Sequence, residues 1–261
     1  MAGNDSLPRR IAKKLYYQAV DAAYSGKGLP IDLNSGHYRV DPRYRSGFRD
    51  PYEADVADFL RARAKPGGVC FDVGANVGIY VLQFSTWIGQ EGRIVAFEPN
   101  PESFAALAIH VRLNDLERRV TLVNAAVSDA PGKLTMYCSD FDGRSRLAAP
   151  NELVKDFAKE VEVPVVTIDD IADSSGLTPD MVLFDVEGFE HLALKGAQRC
   201  LERGRGRTVI AVEMHPTMWD TSGTSAPEFR AWMDDFGVTP VRITEEKDPF
   251  MDGGVVHLAW R

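Results

Sequence analysis

Cysteine is scarce in this chain of 261 residues: Cys70, Cys138 and Cys200 are three in number and far apart, which excludes an even disulfide framework and any zinc-ligand spacing. Reduced thiols are expected, with Cys70 inside a strand. Long apolar runs are missing too. Nothing approaches the roughly 20 residues that a membrane helix needs, and Met1 to Ser6 do not read as a signal peptide, so a cytoplasmic protein without a membrane partner is expected. Basic charge is outnumbered: 30 Lys and Arg stand against 38 Asp and Glu, a formal net charge of -8. That balance argues against broad attraction to nucleic acid or anionic lipid. The chain also lacks internal repeats and low-complexity stretches.

What is present is a globular composition, 44% hydrophobic, in a length that suits one domain with a terminal extension. Residues 1–50, rich in Arg, Tyr, Gly and Pro, read as that extension, and residues 51–261 as the domain. Within the extension Ile11, Leu15, Ala19 and Ala22 or Ala23 recur at helical spacing. They predict an amphipathic helix over 8–24, whose basic start (Arg9, Arg10, Lys13, Lys14) is a solvated face. From Pro51 onward helices near 53–64, 78–88 and 101–114 alternate with strands near 69–73, 93–97 and 119–123. Strands near 133–137, 161–167, 181–185 and 208–213 continue the series, with helices near 189–202 and 226–236. Such alternation predicts an α/β fold, a mostly parallel sheet covered on both faces with right-handed crossovers. Val238 to Ile243 and Val255 to Trp260, separated by charged and glycine residues, predict an antiparallel hairpin at one sheet edge.

Two segments carry chemistry. FDVGANVG at 71–78 leaves an apolar strand, passes Asp72 and turns through Gly74 and Gly78 into a helix; only glycine lets backbone approach a ligand so closely. IVAFEPNP at 94–101 is a second apolar strand ending in Glu98, whose carboxylate can accept hydrogen bonds from both free hydroxyls of a ribose. The pair reads as a nucleoside cofactor site. The dinucleotide fingerprint G-x-G-x-x-G is not met, since Asn76 stands at its second glycine and Ile79 at its third, and a pyrophosphate would be crowded. S-adenosylmethionine fits better: it needs a glycine turn for its methionine part and an acid for its ribose.

Further along stand YEADV at 52–56, VNAAVSD at 123–129, VPVVTIDDI at 163–171, FDVEGFE at 184–190 and AVEMHP at 211–216. With FDVGANVGIY at 71–80 and AFEPNP at 96–101, the chain over about 51–260 resembles the FkbM-type S-adenosylmethionine-dependent methyltransferases. The resemblance implies a class I methyltransferase fold, Rossmann-like, with a seven-stranded sheet in the order 3-2-1-4-5-7-6. It also implies O-methylation of sugars or secondary metabolites.

In an open parallel sheet ligands lie beyond the carboxyl ends of the strands, which assigns the candidate residues. The turn of Gly74, Asn76 and Gly78 lies beneath the methionine part, with Asp72 either ordering the turn or accepting from the amino group. Glu98 holds the ribose; Pro99, Asn124 and Ala126 border the adenine. On the acceptor side stand Asp185, Glu187 and Glu190 after the fourth strand, and Glu213 and His215 after the fifth. A hydroxyl needs a base within reach, and His215 is the first choice, with Asp185 and Glu213 in reserve and Asp185 also able to hold the cofactor's amino group. Glu187 and Glu190 either bind substrate or cap the helix near 189–202. Arg144, with Arg146, in the irregular loop 139–151 is a candidate partner for an anionic group on the acceptor.

Tyr38, Tyr44, Phe48 and Tyr52 are expected to pack the extension, the other reading being a roof over the acceptor. No metal is expected, although Asp185, Glu187 and Glu213 are hard oxygen ligands of the kind a divalent ion takes. Two other readings stay open: a cofactor-binding protein of the same fold without turnover, and a methyltransferase acting on nitrogen or on a macromolecule. The partners expected are a small-molecule or glycoside acceptor, no nucleic acid and no membrane, in a monomer or homodimer.

Overall fold

The structure, a computed structural model, describes residues 15, 16, 19, 24, 26–138, 146–147 and 159–261. The helix expected over 8–24 and the loop 139–151 with Arg144 fall wholly or largely outside these.

The described chain opens with a hairpin, β1 (Leu29–Leu33) and β2 (Gly36–Val40). There follow α1 (Ala54–Arg61), β3 (Val69–Val73), α2 (Ile79–Trp87), β4 (Arg93–Phe97), α3 (Pro101–Leu113) and β5 (Val120–Val123). After the short β6 (Ala126–Val127) come β7 (Gly132–Cys138), β8 (Arg146–Leu147), β9 (Lys159–Val166), α4 (Ile168–Ser175) and β10 (Met181–Phe184). The chain ends with α5 (Glu190–Lys195), α6 (Gln198–Arg203), β11 (Val209–Met214), α7 (Ala226–Phe236), β12 (Val238–Arg242) and β13 (Gly254–Trp260).

Seven strands form the main sheet in the order β12-β13-β11-β10-β3-β4-β5. All pairings among β3, β4, β5, β10 and β11 are parallel; β13 runs antiparallel to β11 and to β12, making the edge hairpin. The central strands are apolar on both faces because both faces are covered. Phe71, Val73, Val95, Phe97, Val182 and Phe184 point into one buried cluster, and their alternates Cys70, Ile94, Ala96, Met181 and Leu183 into the other. Truncating any one of the fully buried phenylalanines Phe71, Phe97 and Phe184 to alanine would cost about 3–5 kcal/mol.

Three expectations need correction. The strands expected near 133–137 and 161–167 do not extend the parallel sheet. They belong to a separate four-stranded sheet, β6-β9-β7-β8, in which β7 and β9 pair antiparallel from Gly132↔Val165 to Cys138↔Lys159. The reason lies in their polarity: in β9 Val163 and Val165 are buried while Glu160 and Pro164 are exposed, so one face is wet, as antiparallel sheets allow. Second, the single helix expected over 189–202 is broken into α5 and α6 at Gly196, where a Cβ would collide with the Ser128 carbonyl. Asp169 then caps α6, accepting from Arg199 N at 3.1 Å and Cys200 N at 2.7 Å. Third, the first fifty residues hold more order than one periodic segment. Leu33, Tyr38, Val40 and Phe48 are buried and join the same cluster as Leu60, Val81 and Phe84. Among the described residues no helix is long and apolar enough to cross a membrane.

Candidate functional site

The carboxyl ends of β3, β4 and β10 are in register, Val73 opposite both Phe97 and Phe184, so the loops leaving them meet. Between them opens a cleft. Gly74, Asn76, Glu98, Pro99, Ala126, Asp185 and Glu187 line it, whereas Asp72, Gly78 and Asn124 do not.

The turn after β3 is left-handed at Gly74 (φ 94°), Asn76 (φ 47°) and Gly78 (φ 93°). Gly74 has no alternative, since a Cβ there would run into the Asp185 carbonyl. The Gly74 and Ala75 amides both donate to the Phe97 carbonyl, at 3.0 and 2.9 Å, which ties the turn to the end of β4. Glu98, 5% exposed, completes the tie: its Oε2 accepts from Asn76 N and its Oε1 from Asn100 N, each at 2.7 Å. A carboxylate offers about four acceptor sites, so two remain for a ligand. Burial pushes the Glu98 carboxyl up to about 7, against the pull of those two amides.

Asn124 extends the same frame, its side-chain amide donating to the Glu98 carbonyl at 2.7 Å. Asp72 is 2% exposed, and burial together with the nearby Glu98 raises it to about 8. It accepts from the Val81 amide, while its Oδ2 finds no partner among the described residues. Asp72 thus ties the end of β3 to the first turns of α2.

The acceptor-side residues converge at the ends of β10 and β11. Glu190, expected at the substrate, has no exposed surface; its Oε1 accepts from His215 Nδ1 at 2.7 Å and Gly188 N at 2.8 Å, and its Oε2 from Trp219 Nε1 at 2.8 Å. Its reach therefore ends at His215. With Nδ1 engaged, His215 turns Nε2 toward Glu213 Oε1 at 3.6 Å and Asp185 Oδ1 at 3.8 Å. Burial alone would lower the imidazole; hydrogen bonds to Glu190 and Glu213 and the charge of Asp185 prevail and raise it to about 11. With these neighbours His215 holds its proton at neutral pH. Enclosure and the adjacent Glu213 push Asp185 well above the usual carboxylate range, His215 opposing. Ligand atoms of Asp185, Glu187 and His215 lie within 4.8 Å of one another, a mixed oxygen and nitrogen set that a divalent cation accepts.

Sequence reasoning missed one corner. Tyr80, on the first turn of α2, donates to Glu53 Oε2 at 2.7 Å, and the Tyr52 ring meets Tyr80 edge-on at 5.9 Å. The turn is held by Asn34, whose side chain donates to Tyr52 O at 2.7 Å and accepts from Tyr52 N at 3.1 Å. Glu53 itself sits at φ 41°, unusual for a side-chain-bearing residue. The charge of Glu213 is felt at both Tyr52 and Glu53, and that of Asp185 at Tyr52, so this corner borders the acceptor side. Of the four aromatics expected to pack, Tyr38 and Phe48 are buried and Tyr44 and Tyr52 are partly so. The YEADV segment was the visible signal.

The profile of the methyltransferase FkbM domain matches residues 72–239. The chain belongs to this family. The FkbM match takes in every candidate residue from Asp72 to His215 and leaves Tyr52 and Glu53 ahead of it. The 31-O-demethyl-FK506 methyltransferase FkbM of Streptomyces tacrolimicus is 30% identical over 224 residues, 74% of this chain and 80% of that protein. The hexuronic acid methyltransferase AglP of Haloferax volcanii is 25% identical over 166 residues, 62% of each. Among solved structures, a methyltransferase FkbM from Methylobacillus flagellatus KT is similar at 16% identity and a TM-score of 0.47, over 77% of this chain and 50% of that one.

Proposed function

We propose that this FkbM-family protein is an S-adenosylmethionine-dependent O-methyltransferase acting on a hydroxyl of a small molecule or sugar. The observation that carries the reading is Glu98, a buried carboxylate pinned by the Asn76 and Asn100 amides with acceptor sites left over, at the mouth of a left-handed glycine turn. The main sheet supports the class I reading: numbered among themselves, its strands run 3-2-1-4-5-7-6.

When bound, the cofactor supplies a methyl group on a cationic sulfur, ready for in-line displacement. The protein's part is placement and proton handling. Gly74 to Gly78 cradle the methionine part, Glu98 takes the ribose hydroxyls, and Pro99 and Ala126 border the adenine. Asp185, at the boundary of the two halves, receives the amino group. In its neutral form, whose share grows as pH rises, His215, oriented by Glu190, takes the hydroxyl proton at Nε2, with Glu213 beside it to stabilise the imidazolium that results. Glu187 meets the acceptor. Three carboxylates near the transfer point, Asp185, Glu187 and Glu213, favour an uncharged hydroxyl-bearing acceptor over an anionic one. Arg144 is the candidate for a more distant anionic group.

One observation favours a second reading of the same site. The convergence of Asp185, Glu187 and His215 suits a divalent ion that would lower the hydroxyl's pKa in place of a base. Transfer of labelled methyl from S-adenosylmethionine to a panel of hydroxylated acceptors, with and without chelator, tests both. Turnover that survives chelation favours His215 as the base; turnover lost to chelator and restored by magnesium favours the ion; no transfer to any hydroxyl contradicts O-methylation.

A further inference from the structure

His110 lies in α3 with no exposed surface. Its Nδ1 is 2.6 Å from the Val77 carbonyl oxygen. A carbonyl only accepts, so Nδ1 carries the proton and the neutral ring leaves Nε2 as a bare acceptor, which is buried and without a partner among the described residues. Burial holds the imidazole below its ordinary pKa, opposed by the Val77 bond and by Asp41 and assisted by Arg43. Two aromatic edges close over the ring: Phe48 at 5.1 Å and Tyr44 at 5.9 Å, both nearly perpendicular to it.

Val77 is the residue of the glycine turn between Asn76, whose amide grips Glu98, and Gly78. The turn needs outside support, because a non-glycine residue held left-handed, as Asn76 is, costs of order 1 kcal/mol. Helix α3 gives that support at two points. Leu107 fills the space a side chain on Gly78 would take, 2.6 Å from where its Cβ would stand, and His110, one turn later, fixes the carbonyl just before it. A phenylalanine at 110 would pack as well but could not donate.

We propose that His110 is a positioning residue for the cofactor: its Nδ1–H sets the Val77 peptide, and through it the Asn76 amide against Glu98, so that the turn is shaped before the cofactor arrives. The proposal rests on the reading of the cleft as the S-adenosylmethionine site. It also gives the segment carrying Tyr44 and Phe48 a role in cofactor affinity, since those rings hold the imidazole.

The test is titration calorimetry of the full chain with S-adenosylmethionine, comparing wild type with His110→Phe and His110→Asn, at a temperature where thermal melts show each folded. Phenylalanine keeps the ring and loses the donor; asparagine keeps a donor near the Nδ1 position and loses the ring. The expected result is about a tenfold loss of affinity in H110F, the worth of one buried hydrogen bond, and near wild-type affinity in H110N. A merely structural histidine would lower the melting temperature in both variants and leave both affinities alone. Unchanged affinity in H110F, or equal losses in the two variants, overturns the proposal. If H110F does not fold, His110→Leu, which likewise lacks the donor, takes its place, about a tenfold loss of affinity being expected and unchanged affinity overturning the proposal. Wild-type protein that binds no cofactor would instead overturn the cleft reading itself, and the proposal with it.

Discussion

The Glu190 carboxylate grips the His215 imidazole by its Nδ1 at 2.7 Å, and so decides which nitrogen the ring turns toward Asp185 and Glu213. Glu190 is wholly buried, and its other bonds, to Trp219 Nε1 and Gly188 N, lock it in place. The ring therefore has one orientation, with Nε2 beside Asp185 and Glu213.

This arrangement fixes a pH dependence. His215 is raised to about 11, so the proton-accepting form grows as pH rises, and the rate of methyl transfer to a hydroxyl should climb through the alkaline range. Glu190→Gln removes one of the charges that hold the proton, lowers the imidazole pKa and moves that climb to lower pH by about one to two units. Rate profiles of the two proteins check this; an unshifted limb in the variant would remove His215 from the proton path.

Glu98 makes the opposite end of the cleft sensitive to pH. Its folded pKa, about 7, lies above that of an unfolded glutamate, so the folded state binds the extra proton between roughly pH 4.5 and 7 and the site loses stability as pH rises across that window. Cofactor affinity should move the other way, strengthening from pH 6 to 8 as the carboxylate ionises and both oxygens become acceptors for ribose. Glu98→Ala should lose at least tenfold in affinity at pH 8 and most of the pH trend; calorimetric titrations at several pH values read both.

Gly74→Ala should be among the most damaging single substitutions. The added methyl meets the Asp185 carbonyl in a backbone conformation that alanine disfavours, at a cost of about 2–4 kcal/mol. Denaturant melts should show that loss together with loss of cofactor binding, while Gly89→Ala, also at positive φ but with open space around it, should cost only about 1 kcal/mol and leave binding intact.

How far the sequence foretold this depends on the range of the interaction. Strands β3, β4 and β10 were legible because burial on both faces makes them apolar but for Asp72 and Arg93, and Glu98 because it directly follows one of them. Strands β7 and β9 were misassigned to the main sheet since a single wet face does not say which sheet the dry face joins. Glu190 was left between substrate binding and helix capping because its partners, His215 and Trp219, lie 25 and 29 residues on, beyond any local pattern. The same holds for Tyr80 and Glu53, 27 residues apart, and for His110 and Val77, 33 apart. Local composition marks strand ends and glycine turns; it is silent on which side chains from distant elements complete them.

Calorimetric titration of the full chain with S-adenosylmethionine and, separately, with NAD decides the cofactor. Micromolar binding of S-adenosylmethionine and none of NAD is the expected outcome. Binding of NAD, or of neither, would contradict it, and the roles given to Glu98, the glycine turn and the acceptor-side residues would fall together.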